Sequence, residues 1–262
     1  MEGLLLGLAG AVLCVGVLAV GLWSARRQIR SERRGPDEST DIARGLAHEI
    51  RNPLNTISIT LQMLEEDLSA DQRPEPSELL SDVQRVRGEV DRLEGILTDF
   101  QRYARLLQAD PEEVNMSALV PQVLDFVEPE ADRSLVKIER DVRPGLEVRA
   151  DPALLRQAFL NLAINAFQAM ENGGTLRVTA EGDDETVSVT FKDTGPGIAA
   201  SVQERIFEPF YSTKRVGTGL GLAVVDHVAR LHGGKAVVES RVGEGATFTL
   251  TLPRQGGPGS RK

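Results

Sequence analysis

The sequence predicts an all-α helical hairpin followed by a mixed α and β domain, with a membrane-spanning helix ahead of both. Three observations carry this. Residues 3–25 hold no charge; apolar residues recur at spacings of three and four over two stretches between 37 and 110; and strand-like alternation interleaves with helical stretches from 111 to 253.

The uncharged run from Gly3 to Ala25 is mostly Leu, Val, Ala and Gly. A helix rising ~1.5 Å per residue crosses a hydrocarbon core of roughly 30 Å in about 20 residues, so residues 1–25 are expected to form a transmembrane anchor. Trp23 ends the run, and Arg26, Arg27, Arg30, Arg33 and Arg34 follow within a basic juxtamembrane linker, residues 26–36. Positive charge is retained on the cytoplasmic side, which predicts a single-pass protein of the cell (inner) membrane with its catalytic part in the cytoplasm. Met1-Glu2 lacks the positive start of a cleaved signal peptide, and the run exceeds the usual apolar length of one. Only Met1 and Glu2 precede the span, so no extracytoplasmic sensing domain is expected.

Residues 37–110 form the expected dimerisation part. After the break at Gly35-Pro36, Asp37 can cap a helix whose apolar positions are Ile42, Leu46, Ile50, Leu54, Ile57, Leu61, Leu64 and Leu68. A Pro- and acid-rich loop from Ser69 to Pro76 ends it. The next stripe, Leu79, Val83, Val86, Val90, Leu93, Leu97, Phe100, Ala104 and Leu107, steps alternately by four and three, a heptad seam. One hairpin cannot bury such seams by itself, whereas two copies packed as a four-helix bundle can, so a homodimer is expected. A plain coiled-coil spacer fits the periodicity equally well.

Residues 111–253 read as mixed α and β. Ser117 to about Asp132 is expected to be helical, and Val136 to Arg140 and Leu146 to Arg149 to be short strands. Asp151-Pro152 is an N-cap with proline at the first helical position, opening a helix to about Met170 that Gly173-Gly174 stops. Strands follow over Thr175 to Ala180 and Thr186 to Phe191, then a Gly-rich stretch, a helix from Leu220 to Leu231, and a final hairpin, Lys235 to Ser240 and Ala246 to Leu252. Residues 254–262 are expected to fray as a tail.

Of the 262 residues 41% are hydrophobic and 26% charged, which describes ordinary globular material. A net charge of -9 excludes the Lys and Arg surplus that phosphate-backbone contacts need, so direct nucleic-acid binding is not expected. Cys14 is the one cysteine, which rules out an intramolecular disulfide and a thiolate metal cluster.

His48 projects away from the seam formed by Leu46, Ile50 and Leu54 and is therefore expected on the surface. A neutral imidazole is a competent phosphoryl acceptor, and the adjacent Glu49 can hold the second ring nitrogen's proton. Asn52 lies at i+4 on the same face and could orient a water. Pro53 removes a backbone hydrogen bond and should bend the helix. An exposed His beside a Glu is also what an ordinary solvated surface pair looks like.

Asp193-Thr194-Gly195-Pro196-Gly197-Ile198 follows a strand, and its glycines let backbone amides approach a ligand. A buried Asp there could accept from an exocyclic amine such as adenine's; the bland alternative is a tight turn. Gly217-Thr218-Gly219-Leu220-Gly221-Leu222 opens onto a helix, so free N–H groups and the positive dipole end face an anion such as a triphosphate. It lacks the Lys-Ser/Thr ending of a P-loop. Asn161 and Asn165 share one face of the preceding helix; Asn165 suits Mg2+, a hard cation that leans on substrate phosphates, and a helix-to-loop hydrogen bond is the alternative.

Taken together the segments resemble two-component sensor histidine kinases. His48-Glu49-Ile50-Arg51-Asn52-Pro53 resembles their H box and Asn161-Leu162-Ala163-Ile164-Asn165-Ala166 their N box. Asp193-Thr194-Gly195-Pro196-Gly197 is similar to the G1 box, Phe207-Glu208-Pro209-Phe210 to the F box and Gly217-Thr218-Gly219-Leu220-Gly221-Leu222 to the G2 box, all in the family's order. The form of the H and N boxes, with Gln168-Ala169-Met170 and Ser212-Thr213-Lys214, is most similar to the nitrogen-regulation branch.

The resemblance implies an α+β two-layer sandwich of the Bergerat or GHKL type that binds ATP and Mg2+. It implies autophosphorylation on His48, with Glu49 and Asn52 beside it, then transfer to an aspartate on the receiver domain of a response regulator. Asp193 would bind the adenine amino group with Thr247 nearby, and Asn165 would ligate Mg2+ with Asn161 beside it. Gly195, Gly197 and the stretch Gly217, Thr218, Gly219, Leu220 and Gly221 would shape the nucleotide pocket and its lid. Lys214 would neutralise the terminal phosphates, and Phe207 and Phe210 would pack the lid on the core. Asn52 also permits the reverse activity, dephosphorylation of the partner. His227 and His232 are expected to be structural; His232 stands at a helix C-terminus, where an imidazole suits the last carbonyls. The family's usual sensor and relay modules are not seen, so an input through the anchor or through a membrane or cytoplasmic partner is expected. Two other readings are an ATPase of the gyrase, chaperone and mismatch-repair type, which would need no His48, and a dimeric scaffold that binds nucleotide without transferring phosphate.

Overall fold

The structure, a computed structural model, describes residues 36–69, 75–105, 109–213 and 218–255. The expected membrane span and basic linker, the end of the C-terminal tail, Lys214 and Gly217 lie outside the described residues. Among the described residues no helix is long and apolar enough to cross a membrane.

Helix α1 runs Pro36–Ser69 and passes through Pro53 without interruption; α2 runs Pro76–Arg105. In α1 the buried side chains from Leu46 onward are Leu46, Pro53 and Thr60, a step of seven each time. In α2 Leu93 and Phe100 are buried, again seven apart, with Ile96 between them. Glu49 and Arg92 meet at 3.9 Å and join the two helices. The expected single seam per helix is corrected here. Leu54, Leu61 and Leu68 of α1 and Val83 and Val90 of α2 form second stripes, also at steps of seven, and all are exposed. Spacings of three and four cannot separate two stripes that lie side by side on one helix, and the expected α1 stripe held Leu46 but neither Pro53 nor Thr60.

The remaining elements build a two-layer sandwich. In chain order they are β1 (Glu112–Asn115), α3 (Met116–Arg133), β2 (Val136–Val142), β3 (Glu147–Ala150), α4 (Pro152–Ala169), β4 (Gly174–Gly182), β5 (Thr186–Asp193), the one-turn α5 (Ala200–Gln203), α6 (Gly221–Leu231), β6 (Lys235–Ser240) and β7 (Ala246–Pro253). Five strands form one mixed sheet in the order β2-β4-β5-β7-β6, with β2 parallel to β4 and the other pairs antiparallel; β1 and β3 make a separate antiparallel ribbon. The parallel pair needs a long crossover, which β3 and α4 supply. Strand β1 and helix α5 were not expected. In Glu-Glu-Val-Asn only Val114 is buried, so no alternation marks it as a strand.

One face of the sheet is apolar and meets the helices. Val187, Val189 and Phe191 of β5 and Phe248, Leu250 and Leu252 of β7 are buried, and Phe159 of α4 stacks on Phe191 with ring centroids 5.9 Å apart. The other face is polar, and its centre carries cross-strand hydroxyl pairs, Ser188 with Thr251 at 3.0 Å and Thr190 with Thr249 at 3.1 Å. Asp151 caps α4 as its sequence indicates, its Oδ1 accepting from Ala153 N and Leu154 N.

His232 sits at the C-terminal end of α6, buried, between two backbone groups. Its Nε2 accepts from the Asp151 N–H at 2.9 Å, so the ring proton is on Nδ1, which donates to Val228 O at 2.8 Å. Burial lowers its pKa, partly opposed by the Val228 bond and the Asp151 charge. The unfolded imidazole, at about 6.5, therefore takes a proton before the folded one does, and stability falls as pH drops below that value. The urea midpoint is expected to decrease between pH 7.5 and 5.5, and a His232→Gln protein, weaker throughout, is expected to lose that part of the slope. Equal slopes in the two proteins would exclude His232 as the cause.

Candidate functional site

His48 is exposed on α1, as its position off the seam requires. Asn52 Nδ2 lies 3.5 Å from His48 Nδ1, one turn along the helix. Glu49, expected to hold the ring proton, turns toward Arg92 of α2 instead. The amide orientation is interchangeable, and Asn52 with its oxygen toward Nδ1 would fix the proton there and leave the Nε2 lone pair outward.

The second set of residues lies on the sandwich, where the end of β5, the turn before β7, the C-terminal half of α4 and the start of α6 come together. Asp193 is buried at the end of β5, and its Oδ1 accepts from Gly195 N at 2.9 Å and Ala246 N at 3.2 Å. One carboxylate thus shapes both loops. Gly197 has φ +71°, and a Cβ there would sit 2.0 Å from Arg241 O, so the turn can close on the β6–β7 connection only with glycine. Gly195 is packed against Ala169 at the end of α4, which joins the loop to the helix bearing the asparagines.

At the other end Gly219, at φ +66°, crosses Phe210 and Tyr211 so closely that a Cβ would lie 2.6 Å from Phe210 C. Phe210 itself has φ +64°, a left-handed conformation uncommon for an aromatic residue. Phe207 meets Phe248 edge to face at 6.4 Å, which anchors that end of the F segment on the sheet. Thr218 Oγ1 accepts from Leu220 N at 3.4 Å, and Leu220 is buried. Helix α6 then begins at Gly221 with no side-chain cap on its first turn, which presents N–H groups and the positive dipole end to an anion.

Asn161 and Asn165 are half-buried on one face of α4. Asn161 Nδ2 donates to Gly221 O at 3.0 Å and ties α4 to the start of α6, so the helix-to-loop alternative holds for that residue. The amide oxygen of Asn165 is a hard, neutral donor of the kind Mg2+ accepts alongside phosphate and water. Among the described residues no cluster of three His, Cys, Asp or Glu could hold a metal by itself.

Thr247 is the correction at this site. Side chains alternate along β7, so Thr247 stands on the polar face of the sheet with its cross-strand neighbours Lys192 and Glu239. Ala246 is the residue on the Asp193 side, through its backbone N–H. Ala246 was not among the expected site residues; its signal was the parity of β7, which puts it on the same face as Phe248.

Comparison with known proteins agrees with this geometry. Residues 38–109 match the His Kinase A (phospho-acceptor) domain, and residues 150–256 match the histidine kinase-, DNA gyrase B- and HSP90-like ATPase family. Sensor histidine kinase ZraS of Escherichia coli (strain K12) is 34% identical over 238 residues, 87% of this chain and 50% of ZraS. The chain thus spans about half the length of the curated relative it matches. The catalytic domain of histidine kinase ThkA superposes with a TM-score of 0.52 at 30% identity, covering 56% of this chain and 99% of that domain. ThkA in complex with the response regulator protein TrrA superposes with a TM-score of 0.61 at 25% identity, covering 84% of this chain and 63% of that one.

Proposed function

The chain belongs to the two-component sensor histidine kinases, and we propose that it binds ATP on the sandwich domain, phosphorylates its own His48, and passes the phosphoryl group to an aspartate on a response regulator. The observation that supports this most is the pairing of an exposed His48, flanked by Asn52, with a loop set that one buried aspartate organises beside an uncapped helix start.

In this reading the adenine amino group would donate to Asp193 and the phosphates would lie toward the first turn of α6, with Asn165 the residue that would hold Mg2+. The ion supplies charge neutralisation on the phosphates when bound. Lys214 would neutralise charge on the terminal phosphates. Neutral His48 attacks the γ-phosphorus with a ring lone pair; the N–P bond forms as the bond to the β–γ bridging oxygen breaks. ADP leaves with that electron pair, and the proton on the other ring nitrogen passes to water. Positioning and charge neutralisation, not covalent help from the protein, lower the barrier. The purified 262-residue chain given γ-labelled ATP and Mg2+ should acquire an acid-labile label that maps to His48. Steady ATP hydrolysis with no label on the protein would instead favour the gyrase-type reading.

The partners belong to the same proposal. Anchoring of residues 1–25 in the inner membrane is part of it. The exposed stripes Leu54, Leu61, Leu68 and Val83, Val90 are the surface that a second copy would cover to complete a four-helix bundle. A Leu61→Glu substitution puts a charge at the centre of that stripe and is expected to shift the chain from dimer to monomer at micromolar concentration, read by sedimentation equilibrium. An unchanged dimer would place the interface elsewhere. The ThkA complex with TrrA supports a response regulator as the acceptor.

A further inference from the structure

We propose that Asp151 is a positioning residue for phosphoryl transfer, because its carboxylate fastens the segment entering the sandwich domain to the helix that carries Asn161 and Asn165. The proposal rests on the kinase reading above.

Asp151 uses its two carboxylate oxygens for different tasks. Oδ1 accepts from Ala153 N at 2.9 Å and Leu154 N at 3.1 Å and so starts α4. Oδ2 accepts from Asp110 N at 3.0 Å, 41 residues earlier in the chain. Capping alone needs one oxygen, and Ser or Asn caps a helix about as well as Asp. The second oxygen is surplus to the helix start and serves the connection to the hairpin.

The node also reaches α6. The Asp151 N–H donates to His232 Nε2 at 2.9 Å, and His232 Nδ1 holds Val228 O at 2.8 Å, which joins the start of α4 to the end of α6. Asn161 joins α4 to the start of α6 through Gly221 O at 3.0 Å. Helix α6 is thus linked to α4 at both of its ends, through the start of α4 and through Asn161 midway along it, and Asp110 is fastened to that unit.

Without the Oδ2 bond the first fixed residue of the sandwich becomes Glu112, whose strand pairs with Ala150 of β3. The connection from the His48 hairpin then gains Asp110 and Pro111, up to about 7 Å of reach at ~3.3–3.6 Å per residue. A longer connection lowers the effective concentration of the donor at the acceptor, and the lost restraint on direction adds to that. Nucleotide affinity, set by residues within the sandwich, does not depend on this bond.

Asp151→Asn separates the tasks. The amide oxygen keeps two capping bonds in preference to one bond to Asp110, and the NH2 group then stands where Asp110 N–H needs an acceptor. In the 262-residue chain, D151N is expected to keep the melting temperature and the KM for ATP of the parent, lose hydrogen-exchange protection at the Asp110 amide, and autophosphorylate about 2- to 5-fold more slowly at saturating ATP. D151A, which loses the cap as well, is expected to lower the melting temperature too. Parent-like autophosphorylation in D151N, or a fall in rate only in step with melting temperature and KM, would overturn the proposal. A parent chain that never labels His48 would sink the kinase reading and the rate claim with it, an outcome distinct from equal labelling of parent and D151N.

Discussion

A His48→Gln protein is expected to bind ATP as tightly as the parent and to take up no acid-labile label at all. The size of the effect follows from the chemistry. Glutamine offers an amide whose nitrogen lone pair is delocalised into the carbonyl, so the N–P bond has no nucleophile, whereas the other residues of the reaction only orient and neutralise charge. Stability should hardly move, because His48 is exposed and Gln is a good helix former at position 48 of a long helix. The pair of measurements is therefore decisive: nucleotide titration reports an intact sandwich while the label reports the acceptor. Residual label at the parent rate would assign the phosphorylated group to another residue and leave the H segment as surface.

How much of this was legible in the sequence depended on whether a feature is local. Strand and helix positions in the sandwich came out within a few residues, because Asp151-Pro152, Gly173-Gly174 and the parity of β5 and β7 are written in consecutive residues. Contacts between distant segments were not. Asp151 reads as an N-cap and nothing in its neighbourhood announces Asp110 or His232, 41 and 81 residues away. Thr247 came from the family resemblance, and a one-residue step along a strand moves a side chain to the opposite face. In the hairpin, heptad spacing located the helices but could not say which of two adjacent stripes closes the hairpin and which stays exposed; Leu54 at 41% and Leu46 at 8% accessibility differ for that reason. Glu49 was paired with its sequence neighbour His48, yet adjacent residues on a helix do not face each other, and Arg92 of α2 takes it.

Asp193→Asn is expected to weaken ATP binding roughly 10- to 150-fold, the range for losing one hydrogen bond to a charged group at about 1.5–3 kcal/mol. The substitution is chosen because Asp193 has a structural task that must be kept apart from recognition. Its Oδ1 accepts from Gly195 N and Ala246 N, and an asparagine oxygen in the same place can accept both. What changes is the other half of the group, where an acceptor for the adenine amine becomes an NH2 donor that repels it. Asp193→Ala removes both halves: two N–H groups near a buried position lose their acceptor, at about 1–3 kcal/mol each where water cannot replace it, and the loops on either side of the site loosen. Calorimetric titration with ATP should therefore show the two variants similarly weakened, while thermal melting separates them, D193N close to the parent and D193A clearly lower. If D193N bound ATP at the parent affinity, Asp193 would be a loop organiser and the adenine would have to be recognised by a different group.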